Sequence, residues 1–128
     1  MTPRTVSLAI FPQTGQPPSR EFNAIPWFPG MRVLDALVLA DAMLADDFVF
    51  RAIYGSAFGV FIDRIDGIAD TASEFWMLYI DNVPAERGVS ETLLLNDGIA
   101  VTFRFEQPPA SHPQSDAKAA LAGSASAR

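Results

Sequence analysis

The sequence predicts an α+β domain in which one helix packs on a mixed sheet of four to five strands. Three observations lead there. One stretch, residues 31–46, carries helical periodicity, while short stretches on both sides of it alternate apolar and polar residues. A chain of 128 residues is the size of one domain and can bury a useful core. Apolar residues make up 49% of it, the ordinary globular range, and ten Phe and two Trp provide large building blocks.

Taken in order, residues 5–11 open with Val6, Leu8 and Ile10 on one face and Ser7 and Ala9 on the other, the pattern of a half-buried strand. Residues 12–19 hold Gly15, Pro17 and Pro18 and read as a turn. A short strand follows at 21–28, limited by Pro26 and ended by Pro29-Gly30. In the helix at 31–46, Val33, Leu37, Ala40 and Leu44 fall on one side, with Asp35, Ala42 and Asp46 opposite. No strong capping residue marks its start. Residues 48–54 and 58–65 predict two strands about Gly55-Ser56, and Asp66-Gly67 a turn. A polar loop runs to Glu74, a strand covers 75–81, a turn region 82–88, and 89–95 is extended. Asn96-Asp97-Gly98 is a strong turn signal. The last strand, 99–106, alternates Ile99, Val101, Phe103 and Phe105 against Ala100, Thr102, Arg104 and Glu106.

The domain is therefore expected over 1–106. Residues 107–128 begin at Pro108-Pro109 and are rich in Ala and Ser, the composition of a flexible tail, with an Ala-rich turn of helix about 116–122. One helix after a first pair of strands, with the first and last strands at the sheet centre, is the β-grasp pattern.

The strands carry an apolar excess. With a helix over one face of the sheet, the other should be polar, and Ser7, Thr102, Arg104 and Glu106 obey. Residues 75–80 do not: Phe75, Met77 and Tyr79 alternate with Trp76, Leu78 and Ile80, so both faces are apolar. Val60 and Ile62 flank Phe61 in the same way. Two readings stand side by side. One is a second small core beneath the 66–74 and 82–95 loops. The other is an aromatic platform for an apolar ligand or a partner.

Several function classes are disfavoured. Net charge is −6, the wrong sign for nucleic acid or for an anionic membrane surface. Without cysteine there are no disulfides, thiolate metal sites or cysteine nucleophiles. The one histidine, His112, falls in the tail, a poor place for a general base or a catalytic triad. Gly55, Gly59 and Gly67 fit neither phosphate-binding spacing. Asp63, Asp66, Asp70 and Glu74 have the wrong spacing for a calcium loop, and Ile65 and Ile68 interrupt them, so they read as a solvated turn. No apolar run reaches the roughly 18 residues of a membrane span. Met1-Thr2-Pro3-Arg4 leads straight into the first strand, so no signal peptide is expected on this stretch. No enzyme activity is expected.

Certain pieces, in this order and spacing, carry a resemblance. They are Val33-Leu34-Asp35-Ala36-Leu37, then Gly59 through Ile68, then Phe75-Trp76-Met77-Leu78-Tyr79-Ile80-Asp81-Asn82, Gly88-Val89-Ser90 and Asn96-Asp97-Gly98. Over residues 5–106 the chain resembles the transcobalamin-like C-terminal β-domain family. That family includes the small domain of transcobalamin and intrinsic factor and bacterial domains of unassigned function, many of them exported. The resemblance implies a β-grasp fold and a site at Phe58, Gly59, Val60, Phe75, Trp76 and Leu78, with Trp76 open to a second role as a core residue. The chain lacks the helical domain with which those carriers hold cobalamin, and no histidine is placed to reach cobalt. The expectation is a non-catalytic binding module for an apolar or macrocyclic small molecule, a corrinoid among the candidates. The alternative is a protein-interaction module or accessory subunit, with a helical domain as one candidate partner. No metal site is expected, and the compartment stays open.

Overall fold

The structure is a computed structural model that describes residues 3–43, 48–56 and 59–107 and, further on, residues 112–114, 116 and 118. Its elements run β1 (Thr5–Phe11), β2 (Arg20–Pro26), α1 (Val33–Met43), β3 (Phe50–Ser56), β4 (Gly59–Ile65), β5 (Ile68–Ala69), β6 (Phe75–Ile80), β7 (Val83–Pro84) and β8 (Ala100–Glu106). Five strands form a sheet in the order β2-β1-β8-β6-β7. β1 and β8 lie parallel at its centre, and the other neighbours are antiparallel. With α1 following the β1–β2 hairpin, this is the β-grasp arrangement on a mixed sheet, as the sequence predicts.

The strands at 48–54 and 58–65 do not join that sheet. β3, β4 and β5 form a separate three-stranded antiparallel sheet. Alternation shows that a strand has a buried face but not which neighbour it pairs with. β4 sends Ile62 and Ile65 into the main core, where they join Val6, Leu8, Ile10, Val101 and Phe103. α1 lies against β1 and β2, and β4 lies against β6, so helix and second sheet share one face of the main sheet. Phe48 bridges the two sheets, its ring 5.4 Å from Phe22 and 5.6 Å from Phe50. Arg20 of β2 also pairs with Asp66 at 2.6 Å.

Val33, Leu37 and Ala40 are buried as the helical spacing predicts, together with Ala36. Leu44 and Asp46 lie outside the described residues. The start of α1 takes its partners from distant chain. Arg32 donates its backbone N–H to the Asp35 carboxylate at 2.9 Å. The amides of Val33 and Leu34 donate to the carbonyls of Thr92 and Val89 at 3.0 and 3.1 Å. These bonds satisfy donors that every helix leaves open at its first turn. Residues 89–95, expected to be extended, form a turn and a single bridge from Leu93 to Arg32. Among the described residues no helix is long and apolar enough to cross a membrane.

Candidate functional site

The five described residues among the six singled out in the sequence do not form one platform. Trp76 and Leu78 point into the main core. Trp76 is 1% exposed, its ring lies 5.2 Å from Phe105, and its indole N–H donates to the Ile68 carbonyl at 2.8 Å. Of its two predicted roles the structure places it in the core. The reason is register: Trp76 sits opposite Phe105 and Leu78 opposite Phe103, both on the helix-side face of β8.

Gly59 and Val60 belong to a clamp within the chain. Val60 accepts a hydrogen bond from the Val89 amide at 2.8 Å and donates its own amide to the Ser90 hydroxyl at 2.9 Å. A side chain on Gly88 would run into the Val60 carbonyl. Gly59 has φ +99°, and a Cβ there would come within 2.6 Å of Glu91 Cγ. These glycines do serve close approach, but what approaches is the 88–91 turn. Two pieces of the family pattern, Gly59-Val60 and Gly88-Val89-Ser90, are thus the halves of one contact. Phe58 lies outside the described residues.

Phe75 is half-buried, with the Lys118 ammonium 5.8 Å from the centre of its ring. It lines a cleft of about 440 Å³ between the two sheets, together with Ile53, Ala72, Asp63, Asp70 and Lys118. Asp63 is held by Arg51 at 2.6 Å. Asp70 accepts the Trp76 amide on one oxygen at 2.8 Å and faces the Lys118 ammonium at 3.0 Å on the other. Three of the four acids read as one solvated turn are therefore split by their partners: Asp63 to Arg51, Asp66 to Arg20, Asp70 to Lys118.

Lys118 and Gln114 come from the stretch expected to be a free tail, yet both are buried, 3% and 1% exposed. They complete the outer edge of β6. That strand pairs with β8 along its whole length, but β7 reaches only Tyr79 and Ile80 on the other side. The Leu78 carbonyl takes the Ala85 amide at 3.0 Å and the Trp76 amide is taken by Asp70, but the Trp76 carbonyl and the Leu78 amide would otherwise be unpaired there, the usual liability of an edge strand. The Gln114 side-chain amide acts as a piece of strand. Its oxygen accepts from the Leu78 amide at 2.8 Å, and its nitrogen donates to the Leu78 carbonyl at 3.0 Å and to the Ala85 carbonyl. Lys118 donates to the Trp76 carbonyl at 2.8 Å and to the Ile62 carbonyl of β4 at 2.7 Å. With Asp70, an ammonium's three donors are all used. Burial lowers the Lys118 pKa, with Asp70 opposing. Burial raises that of Asp70, with Lys118 and the Trp76 amide opposing.

The boundary expected at residue 106 thus leaves out two side chains that belong to the folded unit. Composition signals a segment with little to bury, and it is silent about a polar side chain that replaces a missing strand. On the face of the main sheet away from α1, Met77, Tyr79 and Thr102 are also buried, although Thr102 was expected to face solvent, and Phe61 of β4 is buried too. The apolar excess at 75–80 therefore fills interior space on both faces, closer to a second small core than to an exposed platform.

The family model described as a domain of unknown function, DUF4430, matches residues 36–107, more than half of the chain. The chain belongs to the DUF4430 family. The matched stretch runs from α1 through β8. It holds the clamp, the second sheet and the cleft walls from Ile53 to Phe75. The central strand β1 precedes the DUF4430 match, and Gln114 and Lys118 follow it. No curated protein matches the chain.

Proposed function

We propose that this protein is a non-catalytic binding module whose site is the cleft between the two sheets. The observation that carries the reading is the lining: Ile53, Ala72 and Phe75 offer an apolar wall, and Asp63 and Asp70 offer acceptors at its rim. Binding clefts combine these two features, an apolar body and a few converging polar groups. The donors of Lys118 are consumed within the protein, so the ligand that fits has an apolar body and hydrogen-bond donors at its edge.

The sequence resemblance to the transcobalamin-like β-domain supports the choice of probe. A corrinoid is a macrocycle rimmed with carboxamides, whose N–H groups suit carboxylate acceptors. The cleft takes the rim of such a molecule rather than its whole body, which agrees with a domain that covers a ligand held elsewhere.

The test is a thermal-shift titration of the full chain with cyanocobalamin. At ~100 times the dissociation constant a ligand adds about 2.7 kcal/mol to stability, a visible rise in melting temperature. The rise is expected in the wild type and lost in Phe75→Ala. No saturable rise, or one unchanged in Phe75→Ala, contradicts the assignment of this ligand to this cleft. A second reading, docking of another chain, draws on the exposed apolar side chains of Val83, Leu93 and Leu95. It predicts a partner whose capture is lost when Leu95 and Val83 are changed to Ser and kept in Phe75→Ala.

A further inference from the structure

The far face of the main sheet holds a second concavity, distinct from the cleft. It measures about 250 Å³ and is lined by Phe11, Gln13, Gln16, Arg104, Phe105 and Glu106. Arg104 is part of its wall. Its guanidinium carbon lies 4.9 Å from the centre of the Tyr79 ring and 5.6 Å from that of Phe11. Stacking on rings uses the flat faces of a guanidinium and leaves its forked N–H edge available. That edge makes one long hydrogen bond, 3.5 Å, to the Asn82 side chain. Among the described residues no carboxylate comes within salt-bridge distance of Arg104.

Glu106 is the second charged group in the same wall. It accepts the Tyr79 hydroxyl on Oε2 at 2.6 Å, which holds the carboxylate in place with Oε1 left over. The phenol keeps its proton across the working range, because burial and Glu106 push its pKa up to about 12. Arg104 and Glu106 are two apart on one strand, so they share a face and their Cα atoms stand about 7 Å apart. A cation and an anion at that spacing, over aromatic rings, disfavour a simple anion or a simple cation. They fit a molecule that carries both signs close together.

We propose that this concavity binds a small zwitterion with an apolar body, of the free amino-acid class. The carboxylate would meet the Arg104 fork, the ammonium would meet Glu106, and the side chain would lie against Phe11. Amine nitrogen and carboxylate carbon of an α-amino acid are about 2.5 Å apart. With a charge-assisted hydrogen bond of about 2.8 Å at each end, that is a reach suited to side chains that neighbour each other on one strand face. The site shares no residue with the cleft, so it stands whether or not the cleft reading does.

The experiment is a titration of the full chain with L-leucine, followed residue by residue by NMR. N-acetyl-L-leucine, which lacks the cation, and L-leucinamide, which lacks the carboxylate, serve as matched probes. The expected result is saturable shifts centred on Phe11, Tyr79 and Arg104, with both probes at least about tenfold weaker, since a lost hydrogen bond to a charged group is worth that much. Arg104→Gln should weaken L-leucine by a similar factor. Glu106→Gln, which keeps the acceptor for Tyr79, should weaken L-leucine while leaving N-acetyl-L-leucine unchanged or tighter. The proposal is overturned if L-leucine gives no saturable shifts, if they map elsewhere, or if either probe binds as tightly as L-leucine.

Discussion

One face of the five-stranded sheet and the outer edge of its strand β6 are closed by different means. On that face, α1 and one face of the second sheet lay aliphatic and aromatic side chains over Val6, Leu8, Ile10, Trp76, Leu78, Val101 and Phe103. That cover is continuous, apolar and periodic. Along the outer edge of β6, the closure comes from single polar groups: Asp70 on the Trp76 amide, Lys118 on the Trp76 carbonyl, Gln114 on both peptide groups of Leu78. The first kind of cover is a sum over many weak contacts and tolerates the loss of a part. The second depends on a few bonds, and removing one leaves a buried group such as the Leu78 amide or the Trp76 carbonyl unsatisfied.

The contrast predicts an order of effects. Trp76→Ala should be the largest, about 3–5 kcal/mol, as for a large aromatic removed from a packed core. Urea unfolding reads it, and a value near zero would place the ring outside the core. Lys118→Met follows, at about 3 kcal/mol, because it strands two carbonyls and the Asp70 carboxylate. Gly88→Ala should cost about 1–3 kcal/mol, since the new methyl meets the Val60 carbonyl and the clamp must open. Gln114→Ala should cost a similar or smaller amount, about 1–3 kcal/mol, through the Leu78 amide it leaves bare. If both C-terminal substitutions were neutral, the edge would have to be closed some other way.

Proton linkage sharpens the comparison. Lys118 has its pKa lowered in the folded state, so the unfolded chain holds that proton to higher pH. Stability from this group therefore rises as the pH climbs from the folded pKa towards 10.5. Asp70 has its pKa raised, so its contribution falls as the pH climbs from 3.8 through the folded value. Tyr79 acts in the direction opposite to Lys118 between 10 and about 12. Denaturation across the alkaline range should show a rise in the wild type that is absent from Lys118→Met. Identical profiles would mean that Lys118 is not enclosed.

Much of the fold was legible in the sequence because apolar alternation records the face under α1. Val6, Leu8 and Ile10, and Val101 and Phe103, were read correctly from spacing alone. The helix face was legible for the same reason, its capping was not: the partners of Val33 and Leu34 come from Val89 and Thr92. The second sheet was missed because strands 50–56 and 59–65 look alike whichever neighbour they pair with. At the cleft, Phe75 was singled out by the family resemblance, through the aromatic-Trp pair of its strand. Asp70, Gln114 and Lys118 were not, since an isolated polar residue has no period. A usable signal did exist: a strand apolar on both faces, beside a two-residue strand, needs something to close its edge.

The most direct test of that closure is amide hydrogen exchange at Leu78 in the wild type and in Gln114→Ala. The Leu78 amide points away from β8 and donates to Gln114. The structure predicts that its exchange accelerates in the variant well beyond that of the β6 amides bonded to β8. Unchanged protection of Leu78 in a folded Gln114→Ala protein would contradict the account, because its amide would then have another partner.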